Sequence, residues 1–168
     1  MGVFGCSGQR SEEARKSAES MLDAAREKQV NLHEFRDGFF PYLGGEIKEA
    51  FEELKGQVTP DLIFTHTRKD LHQDHRLLNE LTWNTFRNHL ILEYEIPKYD
   101  GDLGSPNLFV PLDDAVVEKK LRHLMQHFAS QRDKRWFDEE TFRGLLRVRG
   151  VEAGERYAVA FYCRKIVL

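Results

Sequence analysis

The chain has 168 residues, of which 40% are hydrophobic and 32% are charged, and its formal net charge is −3. A chain of this length can bury a substantial hydrophobic core, and we interpret residues 1–168 as a single domain. The slightly acidic balance argues against a nucleic-acid partner, because such partners require a basic surface. The longest apolar run, residues 157–163, falls far short of the roughly 20 residues that cross a bilayer, so no transmembrane segment is expected.

The cysteine content and the start of the chain predict the cellular compartment of the protein. Residues 1–17 contain neither the basic segment nor the long apolar segment of a secretory leader. Cys6 and Cys163 lack the spacing of a disulfide framework or of a cysteine zinc site, and both are expected to be reduced, buried thiols. These features predict a cytoplasmic protein.

The predicted elements alternate between strands and helices along the chain. They are strand 1–6, helix 11–28, strand 30–35, loop 36–45, helix 46–56, strand 59–67, helix 75–90, strand 91–97, strand 107–112, helix 113–130, helix 137–150 and strand 156–168. Ser11 is expected to cap the first helix, Gly56 to end the second, and strand 59–67 to be buried. Such alternation predicts βαβ units and a three-layer α/β fold with a mostly parallel sheet.

The stretch after strand 59–67 concentrates imidazole and carboxylate groups in Asp70, His72, Asp74 and His75. Ligands of open α/β sheets bind at the carboxyl ends of strands, where this stretch is expected to lie. His72 and His75 share a face of the first helical turn, and neutral imidazole is a common zinc ligand. The same residues also suit a capped surface helix. The stretch cannot complete a catalytic zinc site by itself, because such a site normally takes three protein ligands.

The other histidines are interpreted as structural. His66 ends the strand and is expected to be a hydrogen-bonded buried residue, whereas His89 is expected at the carboxyl end of its helix, near the negative end of the dipole. His123 and His127, four residues apart on one helix, could form a ligand pair. Their helix also carries core-type apolar residues and no obvious carboxylate partner, so a structural role is the preferred interpretation.

Several segments resemble the LmbE-like, or PIG-L, deacetylase family. PDLIFTHTRKDLHQDHR is similar to the family's second signature, in which a strand precedes a D-x-H-x-D-H turn. RSEEARKSAESML, FRDGFF, ILEYEIP and the block from SQRDKRWF to RYAVAF resemble further family segments, so that nearly the whole chain is covered. The resemblance implies a Rossmann-like zinc hydrolase that removes the acetyl group from N-acetylated amino sugars and related amides.

The resemblance also implies roles for individual residues. His75 corresponds to a metal ligand, His72 to the residue that stabilises the oxyanion or donates a proton, and Asp74 to the residue that orients a histidine. Arg10 and Asp37 match positions near the substrate site. An ion pair at a helix start and a turn aspartate are equally good interpretations of these two residues.

Further expectations concern the substrate and the cofactor. Asp70, Glu95 and Tyr94 are candidates for contacts with substrate hydroxyl groups, although core or strand-edge roles suit Tyr94 and Glu95 equally well. The implied cofactor is Zn²⁺, and the implied partner is an amino sugar, a sugar nucleotide or a glycolipid. An oligomer is compatible with the sequence.

The sequence departs from the family at its first signature, H-P-D-D-E, which supplies two further metal ligands and the general base. The chain contains no His-Pro dipeptide, and its Asp113–Asp114 pair opens a late helix instead. The resemblance therefore implies that the first βα unit is missing, which would leave a gap in the sheet with exposed backbone and apolar groups. Weak or absent zinc binding and no activity of this chain alone are expected. Val159 is a second departure, since Y-A-E-A-F members have an acidic residue there.

Three explanations of the first departure remain open: a start codon further upstream, a split or truncated gene, and an inactive relic. The leading functional hypothesis is an N-deacetylase. The alternative is a non-catalytic carbohydrate- or nucleotide-sugar-binding relic of the same fold. A nucleotide-binding Rossmann domain is a weaker third hypothesis, because no G-x-G-x-x-G follows a predicted strand.

Overall fold

The computed structural model of the protein describes residues 1–5 and 8–166, which form six strands and five α-helices. The strands are β1 (Gly2–Phe4), β2 (Asn31–His33), β3 (Leu62–His66), β4 (Leu90–Tyr94), β5 (Leu108–Pro111) and β6 (Ala158–Cys163). The helices are α1 (Gln9–Met21), α2 (Gly44–Gln57), α3 (Gln73–Phe86), α4 (Asp114–His127) and α5 (Glu139–Glu152). Two short 3-10 turns cover Phe40–Tyr42 and Ala129–Gln131.

The strands form two separate sheets. β1 and β2 pair in parallel, and the other four strands form a sheet in the order β3-β4-β6-β5. β3 and β4 are parallel, whereas β6 is antiparallel to both β4 and β5. The α/β class is thus confirmed, but the expected mostly parallel sheet is wrong. Two successive helices, α4 and α5, connect β5 to β6, and the second helix reverses the chain once more than a single crossover helix would.

The sheet lies between two helical layers, as the three-layer prediction requires. One apolar cluster joins α2 and α3 to the strands through buried side chains of Phe40, Ile47, Phe51, Leu81, Phe86 and Ile91. A second cluster joins α4 and α5 through buried Val117, Leu121, Phe137, Phe142 and Leu146, with Val159 of β6 packed against it. The valine that departs from the family pattern therefore contributes to an apolar core in this chain.

Several predicted boundaries are wrong at the first two helices. α1 ends at Met21 rather than at residue 28, and its N-cap is Gly8, without a side-chain hydrogen bond, rather than Ser11. Residues 23–29 are exposed, so no buried apolar face stabilises a longer helix. Gly56 lies inside α2, which continues to Gln57. The Asp113–Asp114 pair opens a helix as expected, because the Asp113 side chain caps α4 by accepting a hydrogen bond from the Val116 amide at 2.8 Å.

β3 is more exposed than its apolar sequence predicts. Ile63 packs against the α2–α3 cluster and Thr65 is buried, whereas Leu62 is 40% exposed and Phe64 is 54% exposed. Among the described residues, β3 hydrogen-bonds to β4 alone and β1 to β2 alone. The described strands thus form two separate sheets, and the expectation that strand 59–67 is a buried strand is wrong.

Two further expectations from the sequence concern cysteines and membranes. Cys163 has a free thiol and is only half-buried, so the predicted burial is wrong for this residue. Cys6 lies outside the described residues. No helix in the described part of the chain combines the length and the apolar character that crossing a membrane requires.

Two glycines of α5 test its packing against the segment that leads into β6. A Cβ atom on Gly150 would lie 2.5 Å from the backbone oxygen of Arg156, whereas one on Gly144 would have no neighbour within 4 Å. We expect Gly150→Ala to lower the free energy of unfolding by about 1–3 kcal/mol through overpacking. Gly144→Ala should raise it by roughly 0.5–1 kcal/mol, because alanine is the better helix former. Urea denaturation measures both changes, and equal effects would contradict this packing.

Candidate active site

The turn that contains Asp70 and His72 lies between the end of β3 and the start of α3. β3 ends at His66, and α3 begins at Gln73 with His72 as its N-cap. Because β3 and β4 are parallel, the residues that follow β4 reach the same edge of the sheet. Lys98 comes from that second segment, and its ammonium group lies 3.1 Å from the Asp70 carboxylate. Two chain segments distant in sequence therefore build one polar cluster.

Asp70 is the centre of this cluster and is 1% exposed. Its carboxylate accepts hydrogen bonds from the His72 amide at 2.8 Å and from Nδ1 of His75 at 2.8 Å. Burial alone would raise the pKa of Asp70, but the contacts with His75, the His72 amide and Lys98 hold it well below its usual value. An ionised carboxylate can only accept, so Nδ1 of His75 carries a proton, and in the neutral ring Nε2 keeps a free lone pair.

His72 presents the complementary chemistry. Its Nδ1 accepts a hydrogen bond from the Asp74 amide at 3.3 Å, which places the proton of the neutral ring on Nε2. The His72 and His75 ring centroids are 4.5 Å apart, and both rings line one cavity of about 1060 Å³. His75 therefore presents a lone pair to the cavity, and His72 presents an N–H donor.

Asp74 holds a loop in place. Its buried carboxylate accepts hydrogen bonds from the backbone amides of Gly38 at 2.5 Å and Phe40 at 3.1 Å. The contact of Asp74 with a histidine is made by its backbone amide, not by its carboxylate. The carboxylate thus ties the Asp-Gly loop to the start of α3.

Arg10 and Asp37 meet at the mouth of the same cavity. The guanidinium and the carboxylate form an exposed ion pair at 2.7 Å, and both residues line the cavity. Exposed pairs of this kind contribute roughly 0–1 kcal/mol to stability, so the pair can open at little cost. The structure places both residues near His72, since Asp37, His72 and Asp74 offer donor atoms within 4.8 Å of one another.

Glu95 also lines the cavity, but its carboxylate is already occupied. It accepts hydrogen bonds from the Gly104 amide and the Tyr162 hydroxyl, both at 3.0 Å, and forms a buried ion pair with Arg149 at 2.7 Å. Burial and the neighbouring Glu95 charge raise the pKa of Tyr162 to about 12. Glu95 therefore joins the segment after β4 to α5 and β6.

His66 and Tyr94 lie beside the histidine pair. The Tyr94 hydroxyl is 3.3 Å from Nε2 of His66, and burial raises the pKa of Tyr94 above its usual value. Nδ1 of His66 is buried without a hydrogen-bond partner, so the expectation of a hydrogen-bonded histidine holds for one ring nitrogen only. Burial, followed by the neighbouring His75, lowers the pKa of His66 to about 3 and keeps the ring neutral.

His66, Asp70 and His75 form a candidate metal centre. Their donor atoms lie within 4.8 Å of one another, and two imidazoles with a carboxylate are a donor set that suits zinc. The His66 and His75 rings are stacked, however, with centroids 3.8 Å apart and planes 8° from parallel. An imidazole lone pair lies in the plane of its ring, so two stacked rings cannot direct their lone pairs at one ion. In this arrangement the three residues do not fit a zinc ion.

The sequence did not identify Lys98 as a residue of the site. It also did not predict that protein groups would occupy the Asp70 carboxylate. The ammonium group of Lys98 also contacts Asp102, and these two carboxylates raise its pKa although burial would lower it. The sequence contained one indication of this contact, because Lys98 directly follows the predicted strand 91–97, and that strand pairs with β3. His123 did not join the site, since its Nε2 lies 2.9 Å from the Ser17 hydroxyl.

Replacing Asp70 tests the assignment of the His75 proton. In Asp70→Asn the amide no longer requires a donor at Nδ1, so we expect a mixture of the two neutral tautomers of His75. The ¹⁵N chemical shifts of the neutral ring report this change. Asp102→Asn is the matched control, because it removes another buried partner of Lys98 without touching His75. A wild-type ring already protonated mainly on Nε2 would contradict the assignment.

Replacing Asp74 tests its role as a loop anchor. Asp74→Asn leaves one of the two loop amides facing an NH₂ group, and the loss of about 1–3 kcal/mol should accelerate exchange of the Gly38 and Phe40 amides roughly 10–100-fold. Asp61→Asn, at an exposed position before β3, should leave that exchange unchanged. Hydrogen-exchange mass spectrometry of residues 36–43 measures the difference, and unchanged exchange in Asp74→Asn would refute the anchor.

Comparison with known proteins places these features in context. Residues 4–86 match the family PIG-L, described as GlcNAc-PI de-N-acetylase. The chain is similar to the N,N'-diacetylchitobiose deacetylase of Pyrococcus horikoshii, with 19% identity and a TM-score of 0.62 over 95% of this chain and 70% of that one. No curated protein matches the chain.

Two other solved structures share the fold. The A40926 pseudoaglycone deacetylase Dbv21 is 20% identical with a TM-score of 0.66, over 92% of this chain and 69% of that one. GalB, the 4-carboxy-2-hydroxymuconate hydratase of Pseudomonas putida KT2440, is 18% identical with a TM-score of 0.64, over 95% of this chain and 72% of that one. The same fold therefore occurs in proteins with different reactions.

Proposed function

The chain belongs to the PIG-L family, whose pattern residues 4–86 match, and from this membership we propose that it provides part of a metal-dependent N-deacetylase site. The observation that supports the proposal most directly is the paired chemistry of His72 and His75. Asp70 fixes one ring so that its Nε2 lone pair is free, and the Asp74 amide fixes the other so that its Nε2 proton is free. One site thus offers a ligand atom and a hydrogen-bond donor side by side.

In the proposed reaction, His72 acts on the amide carbonyl. Addition of a water oxygen to the acetyl carbon opens the C=O double bond and places negative charge on the carbonyl oxygen. A preorganised N–H donor stabilises that charge more strongly in the transition state than in the substrate. The Asp74 amide maintains the required tautomer of His72. Arg10 and Asp37, at the cavity mouth, are proposed to contact polar groups of the substrate after their exposed ion pair opens.

His75 is proposed as one zinc ligand, with Asp70 behind it fixing its orientation. Catalytic zinc normally has three protein ligands, and the stacking of His66 on His75 leaves a single free donor in this cluster. Asp70 and Asp74 are engaged by other donors and are poorly placed to act as a base. We therefore propose that this chain by itself binds zinc weakly and does not hydrolyse amides, and that the remaining ligands and the base come from outside these residues.

The proposed substrate class is an N-acetylated amino sugar, sugar nucleotide or glycolipid. The family description, GlcNAc-PI de-N-acetylase, supports this class. A neutral-to-acidic chain is also a poor candidate for nucleic acid binding. The cytoplasmic location, the single domain over residues 1–168 and an oligomeric assembly remain predictions from the sequence.

Amine release from N-acetylglucosamine derivatives in the presence of Zn²⁺ tests the proposal. We expect the 168-residue chain to show no turnover above background. Isothermal titration should give micromolar or weaker zinc binding, reduced at least tenfold in His75→Ala and unchanged in His89→Ala, a histidine that follows the end of α3. Turnover by the wild-type chain that His75→Ala abolishes would overturn the proposed inactivity. Zinc binding indifferent to His75→Ala would overturn its role as ligand and favour the non-catalytic binding relic.

A further inference from the structure

Tyr99 is exposed to solvent but held in place. It is 69% exposed, and its hydroxyl oxygen accepts a hydrogen bond from the Arg135 amide at 3.1 Å. This contact joins the segment after β4 to the connection between α4 and α5. The preceding residue, Lys98, is fixed by its contacts with Asp70 and Asp102. Restraint of an exposed side chain costs conformational entropy and buries little apolar area, so folding alone does not account for it.

The ring of Tyr99 lies beside the candidate active site. The Asp70 carboxylate contacts both His75 and Lys98, and Tyr99 directly follows Lys98 in the chain. Tyr99 and His72 line the same cavity. A ligand that is held at His72 and is larger than a single ring would therefore reach Tyr99.

The polar groups near Tyr99 carry charges of both signs. Asp100 follows Tyr99 in the chain and is exposed, and Lys134 precedes the residue whose amide holds the Tyr99 hydroxyl. Asp100 and Lys134 line the cavity together with Tyr99. The Lys134 ammonium group lies 5.6 Å from the centre of the Trp136 ring, which also lines the cavity. Tyr99 thus presents an aromatic face close to a carboxylate and an ammonium group.

This combination of groups matches the chemistry of a pyranose ring. One face of such a ring exposes C–H groups, which pack against the negative face of an aromatic ring. Its hydroxyl groups both donate and accept hydrogen bonds, so a carboxylate and an ammonium group can bind the same ring. A nucleotide is a poorer match, because the Asp100 carboxylate would repel its phosphate groups.

We propose that Tyr99, Asp100 and Lys134 form a sugar-binding subsite next to the candidate active site. The Tyr99 ring stacks on the C–H face of the sugar, Asp100 accepts hydrogen bonds from its hydroxyl groups, and Lys134 donates hydrogen bonds to them. The substrate is then a glycoside of at least two rings, with the N-acetylated ring at His72 and the next ring on Tyr99. This assignment of the substrate rests on the proposed function, whereas the subsite itself is argued from the exposure, restraint and charges around Tyr99.

NMR titration with two disaccharides tests the subsite. The probes are N,N'-diacetylchitobiose and cellobiose, which has the same linkage but no acetamido groups. We expect Tyr99→Ala to weaken the binding of both disaccharides roughly tenfold, because it removes the aromatic stack. Tyr99→Phe keeps the ring and loses only the hydrogen bond that restrains it, so its binding should weaken about two- to threefold. Tyr42→Ala is the matched control, because Tyr42 is 78% exposed and lies outside the lining of this cavity. It should change neither affinity.

The outcomes separate the subsite from the proposed function. Binding of neither disaccharide, or equal binding by the wild type and Tyr99→Ala, would overturn the subsite. Tighter binding of uridine monophosphate than of cellobiose would also overturn it, because the site would then prefer a nucleotide. So would a changed tautomer of His75 in Tyr99→Ala, since Tyr99 would then act through the histidine turn. Equal affinity for the two disaccharides, with the dependence on Tyr99 retained, would contradict recognition of the acetyl group and support the subsite.

Discussion

The site depends on one buried carboxylate. Asp70 is almost fully shielded from water and would be costly to bury as an anion without partners. The amide of His72, Nδ1 of His75 and the ammonium group of Lys98 supply those partners. Each contact also fixes something else: the start of α3, the tautomer of His75 and the position of the segment after β4. Removing this carboxylate would therefore disturb the backbone, the ligand atom and the neighbouring cation together.

The surrounding polar groups extend this pattern from the turn to the rest of the fold. Asp74 holds the loop before α2 against the start of α3, and Glu95 joins the segment after β4 to Arg149 of α5. Both carboxylates are buried and have all their strong acceptors occupied. They form the walls of the cavity without offering it a free base. Within the turn itself, the two imidazoles therefore remain available to the cavity, His72 as a donor and His75 as an acceptor.

The unpaired edge of β3 and His75, the proposed zinc ligand, lie side by side. β3 ends at the histidine cluster and has an open edge with exposed apolar side chains. His75 has a free nitrogen, but its stacked neighbour His66 cannot share an ion with it.

The sequence by itself determined the α/β class and the position of the histidine turn between the end of a strand and the start of a helix. Local patterns are sufficient there, because strand and helix periodicity and a cap-forming turn are encoded within a few adjacent residues. The direction of β6, the partners of Asp70, Asp74 and Glu95, and the stacking of His66 on His75 were decided by the tertiary structure alone. Each of these depends on residues far apart in the chain, and a sequence pattern carries no information about which of many polar groups will be buried together.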